Sequence, residues 1–277
     1  MPSPPVIRLL PPPPGRSRRS CGGHLRGGAW PWHPFFDKWG VTPYCETEPP
    51  PTLRPLPDGC QPGGTMRESR PMRIEVWSDV QCVWCYVGDA RWKKALADFP
   101  GEVDVVHRSF ELQPGFPVDF DAREYLEANR GMDAAEQERV FAAMKKTASA
   151  EGLGYEPERI RPTNSHLALE LLHYAETVGA RASLSDRLYA AYFAEGRHIG
   201  TVESLLDLAA DVGIDVASAR RALESREFAE AVDRDAATAH ELGARGVPFV
   251  VIDGAYAIPG AVEVDQLKSI LAQVANA

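Results

Sequence analysis

Hydrophobic positions along the chain fall into three regimes. From Arg73, the alternation that sets Ile74, Val76 and Val80 among polar residues predicts a short strand, and Tyr86, Trp92, Leu96 and Phe99 then recur at near-helical spacing. Pro100-Gly101 makes a turn, and the valine-rich run from Val103 to Leu112 predicts a second strand that stops before Gln113-Pro114. Strand, helix and strand at this length make a βαβ unit with parallel strands. Helical periodicity takes over in segments 125–130, 134–150, 164–178, 184–195, 202–212 and 217–242, the last with a break near Ser225. Asp133, Asn164 and Thr201 stand at N-cap positions, and Gly152, Gly179, Gly213 and Gly243 stand where helices end. Strands return at 247–252 and 256–258, on either side of Asp253-Gly254, a dipeptide suited to the positive φ of a tight hairpin. Leu267, Ile270, Leu271 and Val274 form the apolar face of a final helix. The order is β-α-β, a helical stretch over about 113–243, then β-β-α.

Two cysteines decide what this order means. Cys82 falls where the first strand feeds its helix, and unpaired backbone N–H groups and the helix dipole stabilise a thiolate there. Cys85 lies one helical turn further on, within disulfide reach and deeper in the helix. Cys82 is therefore the candidate nucleophile and Cys85 the candidate resolving thiol. A structural zinc site would need four ligands, but no second CxxC or paired-histidine motif follows, and Cys21, Cys45 and Cys60 all lie in a proline-rich extension, so no metal is expected. A CxxC after the first strand of a β-α-β…β-β-α chain points to an α/β thioredoxin-like fold with a large all-helical insertion. Pro248 opens a strand, where it either marks an edge or takes a cis bond that exposes the Val247 backbone. Trp84 and Tyr86 flank the thiols and are candidates for the substrate surface. Asp79 reads more simply as a helix cap than as a proton relay. His166 and His173 read as ordinary helix residues, His198 as a solvated loop residue, and His107 and His240 as structural.

Composition sharpens the division of the chain. Residues 1–71 hold 17 of its 24 prolines and carry 9 Lys and Arg against 5 Asp and Glu. The remainder has 21 against 34, a net of −13, which argues against nucleic acid as a partner. Proline and glycine at this density predict a mostly disordered N-terminal extension, followed by one domain over 72–277. Within the extension, the aromatic patch of Trp30, Trp32, Phe35, Phe36 and Trp39 is the one feature suited to docking, and translation from Met66 or Met72 is the plainer account of its composition. The apolar run 6–10 is short, contains Arg8 and runs into prolines, so it does not read as a secretory signal, and no stretch of 18 apolar residues spans a membrane. A cytoplasmic location is the expectation.

Four motifs in order resemble a known family: Ser78-Asp79-Val80-Gln81-Cys82-Val83-Trp84-Cys85-Tyr86-Val87-Gly88, Phe110-Glu111-Leu112-Gln113-Pro114, Ala191-Tyr192-Phe193-Ala194-Glu195-Gly196-Arg197, and Gly246-Val247-Pro248-Phe249-Val250-Val251. They resemble the DsbA-like thioredoxin superfamily in its FrnE-like cytoplasmic branch, from Met72 to the C-terminus. The resemblance implies a protein-disulfide oxidoreductase with a redox-active Cys82–Cys85 disulfide and no other cofactor, and with glutathione as a candidate co-substrate. It implies that Pro248 is cis and packs beside the thiols, and that Val247 offers backbone hydrogen bonds to an extended substrate. The partners implied are a disulfide-containing protein or a low-molecular-weight thiol. Relatives usually carry proline where this chain has Val83, and the strongly oxidising ones carry histidine where it has Trp84. A less depressed Cys82 pKa and a less oxidising couple are therefore expected. The extra C-terminal cysteine pair of some FrnE-like members is not in this sequence. The main rival is a glutathione-dependent 2-hydroxychromene-2-carboxylate isomerase or kappa-class transferase, which usually places serine first in the motif. The second rival is a non-redox peptide-binding or chaperone module.

Overall fold

The computed structural model describes residues 7–8 and 70–276. Ile7–Arg8 (β1), Met72–Ser78 (β2), Val103–Ser109 (β3), Phe249–Ile252 (β4) and Tyr256–Pro259 (β5) form one sheet in the order β1-β5-β4-β2-β3. As the crossover predicts, β2 and β3 are parallel, in register from Met72 opposite Val103 to Ser78 opposite Ser109. The other pairings are antiparallel. Asp253 and Gly254 both have positive φ between β4 and β5, the conformation that their dipeptide favours. Apart from Ile7–Arg8, the expectations for the N-terminal extension, including its disorder, its aromatic patch and Cys21, Cys45 and Cys60, lie outside the described residues.

The two-residue period of the strands sorts their side chains onto two faces. Met72, Ile74, Val250, Ile252 and Ile258 face one helical layer, made by Trp92 and Ala95 of Val83–Ala97 (α1) and by Leu267, Ile270 and Leu271 near the C-terminus. Trp77, Phe249, Val251 and Ala257 face the other way, with Phe110 and Ala239. At the start of β2 and the end of β3, that second face carries Arg73, Glu75 and Arg108, which pair with one another and with Asp104 and Asp235.

Between β3 and β4 run seven α-helices: Ala122–Arg130 (α2), Ala134–Ala150 (α3), His166–Thr177 (α4), Arg181–Tyr189 (α5), Val202–Asp211 (α6), Val216–Glu224 (α7) and Ala229–Glu241 (α8); Val264–Ala275 (α9) ends the fold. Asp133 and Thr201 cap α3 and α6 as their positions predict. Asn164 is one residue too early: the N-cap of α4 is Ser165, although the Asn164 carboxamide oxygen still accepts the His166 N–H at 2.9 Å. Asp121, not singled out by the pattern, accepts the Arg123 and Glu124 N–H groups at the start of α2. Replacing Asp121 with alanine should lower stability by about 1 kcal/mol in denaturant titration, with no change in thiol chemistry.

The helix predicted over 184–195 divides. After Tyr189, residues Ala190–Glu195 widen into a π-helical turn. Gly196 closes it at φ 70°, the Arg197 N–H reaches back to the Ala191 carbonyl at 2.8 Å, and the Phe193 carbonyl accepts from Glu156 N–H at 2.8 Å. A carbonyl bonded outside its own helix and a left-handed glycine make this local winding favourable.

Candidate active site

The strand-to-helix junction places both cysteines. Cys82 is the N-cap of α1, in extended conformation (φ −90°, ψ 111°), and its carbonyl accepts the N–H groups of Cys85 at 3.0 Å and Tyr86 at 3.1 Å. Val83 and Trp84 therefore lie in the first turn, where backbone N–H groups lack intrahelical acceptors. Both thiols are free and buried, Cys82 6% and Cys85 2% exposed. The Val247–Pro248 peptide is cis, and the Val247 carbonyl accepts the Cys82 thiol, with Sγ 3.6 Å from the oxygen. Cys82, Cys85, Val247 and Pro248 are thus brought together. Trp84 is half-buried and packs, with Val83, on the same apolar cluster as Val247. Burial pushes the Cys85 thiol well up, and a hydrogen bond with Cys82 and the charges of Cys82 and Asp79 add to the rise.

Asp79 is not a cap of α1; the cap residue is Cys82, with no side-chain bond to the helix. The Asp79 carboxylate instead gathers three donors: Gln81 N–H at 3.2 Å, Leu112 N–H at 2.7 Å and the Ser165 hydroxyl at 3.1 Å. These come from the β2–α1 turn, the exit of β3 and the start of α4, so one carboxylate ties the thiol loop to the insertion. It is 0% exposed, and burial raises its pKa to about 6 against the lowering effect of those bonds.

The rest of α1 is held from both sides. The Tyr86 ring stacks on Phe193 (centroids 5.3 Å apart, 8° between planes) and on Tyr189 (5.1 Å, 21°). Arg91, itself buried, donates to Glu151 at the end of α3 at 2.7 Å and to the Ala261 carbonyl at 3.0 Å, and pairs with Glu263 at 2.7 Å. Gly88, one turn after Cys85, lets the helix lie against the proline: a Cβ there would stand 3.3 Å from Pro248 Cγ.

One histidine expectation changes, and two helix histidines gain polar partners. His198 is buried, not solvated; its Nδ1 accepts Gly200 N–H at 3.2 Å and its Nε2 donates to the Val118 carbonyl at 3.0 Å, because loop 116–120 folds over it. His166 lies between two carboxylates, Glu111 at 3.1 Å and Glu170 at 3.5 Å. His173 Nε2 is 3.2 Å from both Ser109 Oγ and Asp235. That is not the wiring of a catalytic triad, in which serine and acid use opposite ring nitrogens. His107 keeps its structural reading, with burial pushing its imidazole down to about 4. Among the described residues no cluster of His, Cys, Asp or Glu suits a metal ion. Cavities of about 300 and 440 Å³ lie in the insertion beside Phe120, and neither is lined by the cysteines.

The family model of the DSBA-like thioredoxin domain matches residues 73–272, which include both thiols, the insertion and Pro248. The chain belongs to this family. As a DSBA-like thioredoxin domain it is similar to a probable DsbA oxidoreductase from Streptomyces coelicolor, with 38% identity and a TM-score of 0.70 over 74% of this chain and 90% of that one. It is 29% identical over 203 residues to the uncharacterized protein YwbO of Bacillus subtilis, covering 72% of this chain and 96% of that protein. Its fold is shared with the cytosolic disulfide reductase DsbM of Pseudomonas aeruginosa, at 20% identity and a TM-score of 0.55 over 74% of this chain and 100% of the other.

Proposed function

We propose that this DSBA-like chain is a thiol–disulfide oxidoreductase whose Cys82 and Cys85 alternate between dithiol and disulfide, acting on protein or low-molecular-weight disulfides. The observation that carries the reading is the geometry of the pair. One thiol stands at the mouth of a helix N-terminus beside the Val247 carbonyl, and the other is buried behind it with a raised pKa. In the reductive direction the Cys82 thiolate attacks a substrate disulfide and one substrate sulfur leaves as a thiolate. Cys85 then attacks the Cys82 sulfur, the second substrate thiolate leaves, and two electrons have passed to the substrate. The Cys85 proton goes to a base, and Asp79 is the buried carboxylate whose charge is felt at that thiol. An extended substrate would take over the Val247 backbone by strand addition and lie across Pro248 and Trp84.

Val83 and Trp84 bring no cation to the thiols, so the couple is expected to be less oxidising than a strong oxidant at about −120 mV. Among the described residues no helix is long and apolar enough to cross a membrane. A cytoplasmic setting, kept reducing by the thiol pool, favours work as a reductase or isomerase. The test is a glutathione redox titration of the full chain, read by thiol alkylation and mass. A reversible two-electron couple supports the reading. Glutathione binding without any Cys82–Cys85 disulfide would replace it with the isomerase or transferase reading.

A further inference from the structure

Next to the thiols lies a line of acids and a base that thiol exchange itself does not call for. Residues 164–166, at the start of α4, engage two carboxylates at once, the buried Asp79 and the partly buried Glu111. The Ser165 hydroxyl donates to Asp79 at 3.1 Å, the Asn164 carboxamide donates to Glu111 at 2.7 Å, and His166 Nδ1 meets the other Glu111 oxygen at 3.1 Å. The far nitrogen of His166 is 3.5 Å from Glu170, which is 1% exposed and in turn meets the half-exposed Arg226 guanidinium at 2.8 Å. Glu111 is joined through its own chain to Leu112, whose N–H holds Asp79. The groups that face Asp79 are Glu111, Ser165, Cys85 and Tyr192; those that face Glu170 are Arg226, Asp233 and His166.

An imidazole N–H directed at a carboxylate draws on its charge, so the 3.1 Å contact of His166 offsets part of the negative charge of Glu111. We infer that His166, clamped between Glu111 and Glu170, is a positioning residue that tunes the charge on Asp79 and so sets the pH at which Cys85 gives up its proton. The inference rests on the redox reading above. In the step concerned, the Cys85 sulfur attacks Cys82 in a Cys82–glutathione mixed disulfide. The Cys82–glutathione S–S bond breaks, glutathione leaves as its thiolate with the electron pair, the Cys82–Cys85 bond forms, and the Cys85 proton passes to the Asp79 carboxylate. Burial already raises Asp79, and the charge of Glu111 raises it further. Removing that charge should lower Asp79, and removing the group that offsets it should do the reverse.

The test uses the full chain loaded with glutathione at Cys82, following glutathione release from pH 4 to 9, together with carboxyl carbon NMR of Asp79 in the reduced protein. Glu111→Gln should move both the Asp79 titration and the acid limb of the release rate to lower pH. His166→Gln should move both to higher pH, and Glu170→Gln, which is remote from Asp79, should follow His166→Gln by a smaller amount. A merely structural role would leave the limb in place or move all three variants the same way, and either outcome overturns the inference. If no Cys82–Cys85 disulfide forms in any variant, the redox reading fails, while opposed shifts in the NMR titration still uphold the coupling and unmoved ones overturn it.

Discussion

Serine in place of Cys82 is expected to lower the rate of disulfide exchange by roughly 10³-fold or more, because a hydroxyl neither ionises near neutral pH nor forms the mixed disulfide. The loss should be chemical and not structural. Cys82 is an N-cap without a side-chain bond, and serine is among the preferred residues at that position. Its hydroxyl can also donate to the Val247 carbonyl in place of the thiol. Thermal unfolding should therefore be unchanged or slightly higher while exchange with a glutathione-modified peptide disappears. Retained exchange in Cys82→Ser would remove Cys82 from the mechanism. Cys85→Ser should behave differently, consuming one equivalent of substrate and stalling as the Cys82 mixed disulfide, visible as an added mass that dithiothreitol removes.

The second large effect concerns Asp79. Its pKa stands at about 6 in the fold against 3.8 for the ordinary group, so the folded protein favours the protonated form. The stability this confers is complete below about pH 4 and is lost as pH rises through 6. About two pKa units at about 1.4 kcal/mol each make the loss roughly 3 kcal/mol. Asparagine at 79 does not titrate. Whatever the baseline cost of exchanging an acceptor for a donor near the Leu112 and Gln81 N–H groups, the stability of Asp79→Asn relative to wild type should improve by about 3 kcal/mol between pH 4 and pH 7. Urea titrations of both proteins across that range measure it; parallel pH profiles would show that Asp79 does not titrate in this window. Under the proposed mechanism the same variant should also slow the attack of Cys85 on the mixed disulfide, since asparagine at 79 takes up no proton.

Much of the architecture can be read in the sequence because it is written in local terms. The alternation at Ile74 and Val76, the positive-φ dipeptide Asp253-Gly254 and the caps Asp133 and Thr201 each act within a few residues. The two thiols are legible for the same reason, since the spacing of Cys82 and Cys85 places them on one turn of one helix. What surrounds them is not. Asp79 takes its partners from Leu112, 33 residues away, and Ser165, 86 residues away, so nothing near Asp79 in the chain distinguishes it from a cap. His198 owes its burial to Val118, 80 residues earlier, and His166 meets Glu111 only once α4 is packed against the end of β3. Asn164 and Ser165 were the available signal. The helical pattern reads Asn164 as a cap and gives Ser165 no role, whereas the fold uses both, one for each carboxylate.

The π-helical turn at Ala190–Glu195 gives that stretch a fixed length. Each residue added to or removed from a helix turns everything after it by about 100°. Tyr189, before the turn, and Phe193, within it, both stack on Tyr86 beside Cys85, and Gly196 closes the turn where a Cβ would stand 2.3 Å from the Arg159 carbonyl oxygen. Surface loops tolerate changes in length, but here a single insertion or deletion would swing Phe193 away from the ring it supports. Between Tyr189 and Gly196 the protein depends on the number of its residues as much as on their kind.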